Sequence, residues 1–136
     1  MKIYMSGSIY GGREKIETYK LLISELEKYA EVINKNIADE EVLEKEALQN
    51  DADIFNDLEI KLKSADLIFA EVSIPSLGVG YELGLADAIG KRIVAIYDKK
   101  VTSKVSTMIR GNQRIELISY EDIGEIIENL EEILEI

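Results

Sequence analysis

The residues that could do chemistry are concentrated in one short segment, Ser73–Ala86, which reads SIPSLGVGYELGLA. This segment holds the only proline of the chain, Pro75, and one glutamate, Glu82, among apolar neighbours. Pro75 biases the residue before it away from the helical conformation, and Gly78 and Gly80 let the backbone approach a ligand closely. The segment therefore combines a stiff, glycine-bearing loop with a single carboxylate.

Glu82 is the candidate for covalent chemistry in a chain that has no histidine and no cysteine. Those absences exclude thiol catalysis, Zn–thiolate sites and the commonest proton shuttle. We expect a helix to begin near Val79, with Glu82 in its first turn, where the helix dipole favours an ionised carboxylate. Such a carboxylate beyond the end of a strand suits a nucleophile for a sugar carbon. The alternative is a glutamate that only stabilises its own helix.

A second glycine-bearing segment, Ser6–Arg13, reads SGSIYGGR and follows the first predicted strand. Its glycines, and the helix predicted just after them, suit a loop that holds a phosphate or a nucleotide. It matches neither the P-loop pattern nor the GxGxxG pattern. A plain strand-to-helix turn is an equal alternative.

Alternating apolar segments predict the elements that must position these loops. Short, partly apolar runs, of which Asp66–Val72 is nearly continuous, predict five strands, at Lys2–Ser6, Ala30–Asn34, Asp66–Val72, Arg92–Tyr97 and Arg114–Ser119. Helical spacing predicts helices at 16–26, 54–65, 79–89 and 123–134, a helical turn near 103–110, and a loop with some helix at 35–50. This order predicts one domain over 1–136, an α/β fold with a doubly wound, Rossmann- or flavodoxin-like, five-stranded parallel sheet. Ligands of such sheets bind beyond the C-terminal ends of the strands, where both glycine segments lie.

The charge of the chain limits the kinds of molecule that it can bind. The chain has 136 residues and a formal net charge of −11, from 27 acidic and 16 basic residues. That charge disfavours nucleic acid and anionic membranes, although backbone N–H groups could still hold a small anion. The first residues, MKIYMSGSIY, have the pattern of neither a signal peptide nor a membrane span. We therefore expect a cytoplasmic protein without a bound metal.

Three segments together resemble the 2′-deoxynucleoside 5′-phosphate N-hydrolases, within the wider nucleoside 2-deoxyribosyltransferase superfamily. They are IYMSGSIYGGRE, SADLIFAEVSIPSLGVGYELG and STMIRG, in the order of that family, and the likeness covers most of the chain. The resemblance implies hydrolysis of 2′-deoxynucleoside 5′-monophosphates to free base and deoxyribose 5-phosphate, through an ester between a glutamate and C1′. It also implies a homodimer with shared active sites, and no cofactor.

The same resemblance implies roles for individual residues. Glu82 would be the nucleophile, and Tyr4 would lie near the sugar and the glutamate. Ser76 and Gly78 would contact the 5′-phosphate, which Ser106 would reach from the neighbouring chain. The other residues implied at the nucleotide are Met108 and the loop residues Gly7, Ser8, Ile9, Tyr10, Gly11, Gly12 and Arg13.

Three positions depart from the family's pattern. Tyr10 stands where the family usually has an arginine, and Asn36 is the nearest match to its loop histidine. Leu58 aligns with an aspartate thought to assist proton transfer. Asp57, one residue earlier and roughly 60° outside the apolar stripe, could take that role or be a solvated helix residue. Asp39 is a weaker candidate.

These departures leave the substrate open. Arg13 and Arg110 are the cations that remain near the motifs, and each could bind phosphate or pair with a surface carboxylate. A deoxyribosyltransferase that acts on deoxynucleosides is the nearest alternative function. A non-catalytic nucleotide-binding protein is another, and a phosphate-binding, flavoprotein-like module rests on fold analogy alone.

Overall fold

The protein is a five-stranded, all-parallel sheet flanked by helices, and the computed structural model describes residues 1–10 and 12–136. The strands are β1 Lys2–Ser6, β2 Glu31–Val32, β3 Leu67–Glu71, β4 Arg92–Asp98 and β5 Ile115–Tyr120. The helices are α1 Ile16–Leu26, α2 Val42–Ala47, α3 Asp51–Ser64, α4 Leu77–Ala88, α5 Thr107–Arg110, α6 Ile123–Glu128 and α7 Leu130–Leu134, with a 3₁₀ turn at Asn36–Ala38. The strand order is β2-β1-β3-β4-β5. The predicted doubly wound α/β class is confirmed.

The strand order changes direction between β1 and β3, which is the switch point where ligands of such sheets bind. These two strands pair in register, with Tyr4 opposite Ile68 and Ser6 opposite Ala70. Every residue of β3 is buried, as expected of a strand covered on both faces.

Side chains of β1 alternate between two cores. Ile3 and Met5 belong to the core that α1, α6 and α7 cover. Tyr4 lies on the opposite face, in the core that α3, α4 and α5 cover. Ser6, two residues after Tyr4, shares its face. The second face carries Glu82 and is the one that concerns the candidate site.

Helix α4 begins two residues earlier than the sequence predicts. Ser76 caps it, with Oγ accepting a hydrogen bond from Val79 N at 3.3 Å. Glu82 is therefore the sixth residue of α4 and lies in its second turn. The first-turn prediction for Glu82 is wrong, because the serine considered as a ligand contact also serves as the helix cap. Gly90 ends α4 with a φ of 76°, as expected.

Other boundaries differ for similar local reasons. Asn50 caps α3 by accepting from Ala52 N at 2.8 Å, so this helix begins at Asp51. The single C-terminal helix that was predicted is divided at Asn129, whose side chain donates to the Glu125 carbonyl at 2.7 Å. Over the residues that the structure describes, no helix is long and apolar enough to cross a membrane.

Candidate active site

Glu82 extends from α4 beside two hydroxyl groups of β1. Tyr4 and Ser6 are both fully buried, and their hydroxyls lie close enough to the Glu82 carboxylate to lower its pKa. Tyr4 and Ser6 point to the same face of β1, and α4 packs on that face. Glu82 therefore meets both side chains. The structure thus brings together the predicted nucleophile and the predicted tyrosine, and it adds Ser6.

Burial dominates the electrostatics of this group. Desolvation raises the pKa of Glu82 to about 7, and the hydroxyls of Tyr4 and Ser6 offset only part of that rise. The pKa of Tyr4 is also raised, first by burial and then by the nearby Glu82 carboxylate. Any effect of the helix dipole on Glu82 is outweighed, so its carboxylate is not held firmly ionised at neutral pH.

The polar atoms of this group are poorly satisfied. Tyr4 Oη, Ser6 Oγ and Glu82 Oε2 are buried, and none has a hydrogen-bond partner of ordinary geometry among the described residues. Buried polar atoms without partners are costly, so such a cluster is expected where a ligand completes the hydrogen bonds. The unpartnered cluster lies at the predicted ligand edge of the sheet.

A cavity of about 320 Å³, here called the glutamate cavity, opens at this cluster. Tyr4 and Glu82 line it together with Gly78. Its further lining is apolar or aromatic, at Ile54, Phe55, Leu58, Leu62, Tyr81, Leu85 and Tyr10, or acidic, at Glu46, Asp51 and Glu59. Its volume suits a small organic ligand with a largely apolar body.

A larger cavity of about 930 Å³, here called the serine cavity, lies on the other side of Tyr81, which lines both. Ser76, Ser106 and Met108 line it, together with Lys104. Ser76 stands at the N-terminus of the 12-residue helix α4, where backbone N–H groups favour an anion. The two predicted serines therefore share one cavity within a single chain, while Gly78 lines the glutamate cavity instead.

Packing contacts within the chain account for much of the conformation of the glycine-bearing segment Ser6–Arg13. A Cβ at Gly7 would lie 3.0 Å from Ile37 Cδ1 and 3.0 Å from the Tyr19 ring, so a larger residue would require these side chains to shift. Ser8 N donates to Tyr19 Oη at 3.0 Å, and Ile9 packs against the core. These contacts fix the loop without any ligand.

Three further residues of that loop, Gly12, Gly11 and Ser8, were predicted to contact the nucleotide. Gly12 has a φ of 143°, a conformation that L side chains rarely adopt. Gly11, which was predicted to contact the nucleotide, lies outside the described residues. Ser8 Oγ is buried without a hydrogen-bond partner among the residues described.

The two arginines near the motifs are engaged with backbone. Arg13 donates to the carbonyls of Ser8, Ile37 and Asp39, at 3.0, 2.5 and 2.9 Å. Arg110 donates through Nε to the Val105 carbonyl at 2.7 Å. Neither lines the glutamate cavity or the serine cavity. The prediction that Arg13 contacts the nucleotide gains no support from this geometry, because its guanidinium holds the loop to the 3₁₀ turn.

The predicted proton-transfer aspartates lie away from the glutamate cavity. Asp57 is exposed and pairs with Lys61 at 2.8 Å, although it is near enough to contribute to the raised pKa of Tyr4. Asp39 accepts from Lys45 Nζ at 2.7 Å. Neither lines the cavity, because α3 turns Leu58 rather than Asp57 toward it. Asn36 is exposed and outside it too.

Sequence reasoning missed Glu46, which lies in the glutamate cavity. Its side chain is buried, with 8% of the residue exposed, and its Oε2 accepts from Tyr10 Oη at 2.6 Å. This hydrogen bond is the largest of the causes that raise the pKa of Tyr10 to about 12. The available signal was weak: Glu46 follows Val42 by one helical turn inside a run of charged residues.

No set of three or more metal-ligating side chains comes together in residues 1–10 and 12–136. The cavity lining is instead carboxylate, phenol and apolar carbon. This arrangement can present a carboxylate to an electrophilic carbon and hydroxyl donors to the groups around it.

Comparisons with known proteins agree with this geometry. The sequence matches the nucleoside 2-deoxyribosyltransferase family over residues 3–131. It is 36% identical over 138 residues to a 5-hydroxymethyl-dUMP N-hydrolase of Esox lucius, covering 99% of this chain and 94% of that protein. It is 40% identical over 130 residues to a 5-hydroxymethyl-dUMP N-hydrolase of Homo sapiens, covering 91% of this chain and 74% of that protein.

A solved structure shares the fold. The Clostridium botulinum CMP N-glycosidase BcmB matches with a TM-score of 0.69 and 20% sequence identity, over 98% of this chain and 99% of that one. The family match spans nearly the whole chain and includes every element that forms the site. The chain therefore belongs to the nucleoside 2-deoxyribosyltransferase family.

Proposed function

We propose that the protein is an N-glycosidase that hydrolyses 2′-deoxynucleoside 5′-monophosphates to free base and deoxyribose 5-phosphate. The observation that carries the proposal is the buried Glu82 carboxylate beside the unpartnered hydroxyls of Tyr4 and Ser6. The relatives named N-hydrolases, at 36% and 40% identity, support the same reaction.

In the first step, a Glu82 oxygen bonds to C1′ of the deoxyribose as the bond from C1′ to the base nitrogen breaks. The bonding electron pair leaves with the base, which takes up a proton from solvent water. In the second step, water attacks C1′, loses a proton and releases Glu82 as a carboxylate. Two displacements at C1′ retain its configuration.

Tyr4 acts in this mechanism as a hydrogen-bond donor. Because its pKa is raised, the phenol stays protonated at neutral pH. Its hydroxyl and that of Ser6 can stabilise the ionised form of Glu82 and orient it toward the sugar. The two hydroxyls thus compensate for part of the desolvation that raises the pKa of the nucleophile.

The serine cavity would hold the 5′-phosphate. Ser76 and the N-terminus of α4 supply hydroxyl and N–H donors, and Lys104 supplies a positive charge at the same cavity. The formal net charge of −11 favours a small substrate over nucleic acid. With a free nucleotide as substrate, the cytoplasm is the proposed location.

We further propose that the protein is a homodimer joined through α4. Its exposed face carries Leu77, 96% exposed, and Tyr81, 61% exposed, and Gly80 and Gly84 follow Leu77 at helical spacing on the same exposed face. A helix that is apolar on both faces is normally covered on both, and a second copy would cover this one. Ser106 and Met108 lie beside this face and would reach the partner's phosphate. Sedimentation should give a dimer that Leu77→Lys dissociates.

Product analysis by chromatography tests the proposed reaction. The protein is incubated with deoxynucleotides, deoxynucleosides and their ribo counterparts, with and without a free acceptor base. The proposal predicts free base and deoxyribose 5-phosphate from deoxynucleoside monophosphates, with loss of product in Glu82→Gln. Glu128→Gln, an exposed glutamate on α6, is the matched control.

Two outcomes would contradict the proposal. Base exchange without net release of sugar would identify a deoxyribosyltransferase. Binding of nucleotides without turnover of any substrate would identify a non-catalytic nucleotide-binding protein.

A further inference from the structure

The far wall of the glutamate cavity is acidic. Glu46, Asp51 and Glu59, here called the acidic wall, all line the cavity that Glu82 lines. No lysine, arginine or histidine is among the lining residues of this cavity in the described part of the chain. Ionised carboxylates accept hydrogen bonds and cannot donate them. The wall is therefore complementary to N–H donors.

Glu46 is the most enclosed member of this wall. It is 8% exposed, and the hydrogen bond of 2.6 Å from Tyr10 Oη occupies its Oε2. Within residues 1–10 and 12–136, the bond from Tyr10 is the side-chain hydrogen bond that this carboxylate accepts. That bond holds the carboxylate in place and leaves its other oxygen able to accept a hydrogen bond from a ligand.

An independent observation indicates that a ligand belongs here. Tyr4 Oη is fully buried, unpartnered and part of the same cavity lining. Phe55 and Tyr81, with ring centroids 6.1 Å apart and planes at 71°, add aromatic faces to the walls. A flat base attached to a sugar at Glu82 would pack against these aromatic side chains, which line the same cavity as the acidic wall.

We propose that Glu46 selects nucleotides whose base carries an exocyclic amino group, as cytosine and adenine do, over counterparts with a carbonyl there, as in uracil and hypoxanthine. An amino group would donate a charge-assisted hydrogen bond to Glu46. A carbonyl would face the carboxylate as a second acceptor, and both would be desolvated without a hydrogen bond. This inference rests on the proposed function and names its substrate class. It differs from the substrate for which the two relatives are named.

Two substrate pairs vary the amino group. dCMP and dUMP differ by an amino group against a carbonyl, as do dAMP and dIMP, and in each pair the adjacent ring nitrogen changes from an acceptor to an N–H donor. The part of the preference that Glu46→Gln removes is the part that Glu46 supplies. We expect kcat/KM to favour the amino member of each pair by roughly tenfold or more in the unmodified protein. In Glu46→Gln, whose amide can donate as well as accept, the ratio should fall about tenfold.

Two further variants separate recognition from structure. Glu44→Gln, an exposed glutamate of α2, should leave both ratios unchanged. Tyr10→Phe keeps Glu46 but removes the hydrogen bond that holds it, and should lower both ratios several-fold. This variant keeps the inference testable if Glu46→Gln does not fold.

Equal kcat/KM values for the two substrates of each pair would overturn the inference. It would also be overturned if Glu46→Gln lowered kcat/KM equally for the amino and the carbonyl substrate of each pair. If no substrate is turned over, the proposed function fails while the inference is still testable. Calorimetric Kd values of the same pairs for the unmodified protein and Glu46→Gln then decide it. A preference for the amino member that Glu46→Gln removes would support the inference, and equal Kd values would refute it.

Discussion

Two glutamates have a carboxylate oxygen that is buried and without a hydrogen-bond partner in the described part of the chain, and only one is proposed to react. They lie at the same edge of the sheet, on opposite faces. Glu82 lines the glutamate cavity beside unpartnered hydroxyls. Glu71, 1% exposed at the end of β3, accepts from Ser73 N at 2.6 Å and lines neither the glutamate cavity nor the serine cavity. Burial raises the pKa of both. Burial and a raised pKa therefore do not distinguish a reactive carboxylate from a structural one.

The surroundings of the two carboxylates make the difference. Near Glu71, the ion pair between Lys15 and Asp98 measures 2.6 Å, and Asp98 N donates to Ser73 Oγ at 2.8 Å. Hydrogen bonds from Ser73, and after them the charge of Lys15, lower the pKa of Glu71 and partly compensate for its burial. Among the described residues no cation lowers the pKa of Glu82, which depends on two hydroxyls. The first arrangement fixes a loop, whereas the second leaves a cavity that a substrate can complete.

The largest effect should separate the two glutamates directly. We predict that Glu82→Gln lowers kcat about 10³-fold or more, because the amide is not a competent nucleophile. Glu71→Gln should keep kcat within about tenfold, because this residue only positions the loop that carries Ser73. Steady-state kinetics checks both, with circular dichroism to verify the fold. Equal losses in the two variants would mean that Glu82 has no special role.

The next effect concerns the hydroxyl that faces Glu82. Tyr4→Phe should lower kcat about 10- to 100-fold, since it removes a donor that stabilises and orients the carboxylate. The hydroxyl makes no hydrogen bond of ordinary geometry within the described residues, so its removal should change the free energy of unfolding by no more than about 1 kcal/mol. Urea denaturation measures that change. A large loss of stability would make Tyr4 a structural residue.

The pH dependence of both activity and stability should reflect the raised pKa of Glu82. The proposed reaction needs ionised Glu82, so kcat/KM should fall about tenfold per pH unit below a pH near 7. Protein stability should change in the opposite direction. The folded protein holds a proton on Glu82 more tightly than the unfolded chain does, so rising pH from about 4.5 to about 7 destabilises it.

Thermal unfolding across that range, with Glu82→Gln beside the unmodified protein, isolates the contribution of Glu82. The difference in stability between the two should grow in favour of Glu82→Gln as pH rises. A constant difference would show that burial does not raise the pKa of Glu82.

The smallest effect is expected for the ion pair between Lys15 and Asp98, on the face of the sheet that carries Glu71. Lys15→Met breaks the pair with Asp98, whose side chains are 13% and 9% exposed, and should cost about 1–2 kcal/mol of unfolding free energy. We expect less than a threefold change in kcat, because Lys15 lines neither cavity. Lys20→Met, which breaks exposed pairs, is the control and should cost less than about 1 kcal/mol. Equal costs would remove the distinction between these pairs.

Much of this architecture could be predicted from the sequence. The apolar runs located all five strands, since a strand buried on both faces excludes polar residues almost throughout. Predictions of helix ends were less accurate, because Ser76 and Asn50 satisfy the N–H groups of helices that begin earlier than their apolar stripes. Asn129 divides the last helix through a side-chain bond that periodicity does not reveal.

The candidate site was predictable where it rests on a contiguous motif. Glu82 and Ser76 lie in one segment, and Tyr4 lies on the neighbouring strand. Glu46 was not predictable, since its burial depends on how the short α2 packs beside Tyr10. The role of Asp57 was left open for a related reason: the rotation of α3 about its axis decides which side chain faces the cavity, and Leu58 lines it whereas Asp57 is exposed.

Direct detection of the covalent intermediate tests the central claim, that Glu82 is the nucleophile. The protein is mixed with a deoxynucleoside monophosphate, quenched in acid within milliseconds and digested for peptide mass spectrometry. We predict a deoxyribose 5-phosphate adduct on the peptide that contains Glu82, and no adduct on the corresponding peptide from Glu82→Gln. An adduct on another residue, or turnover with retained configuration in Glu82→Gln, would contradict it.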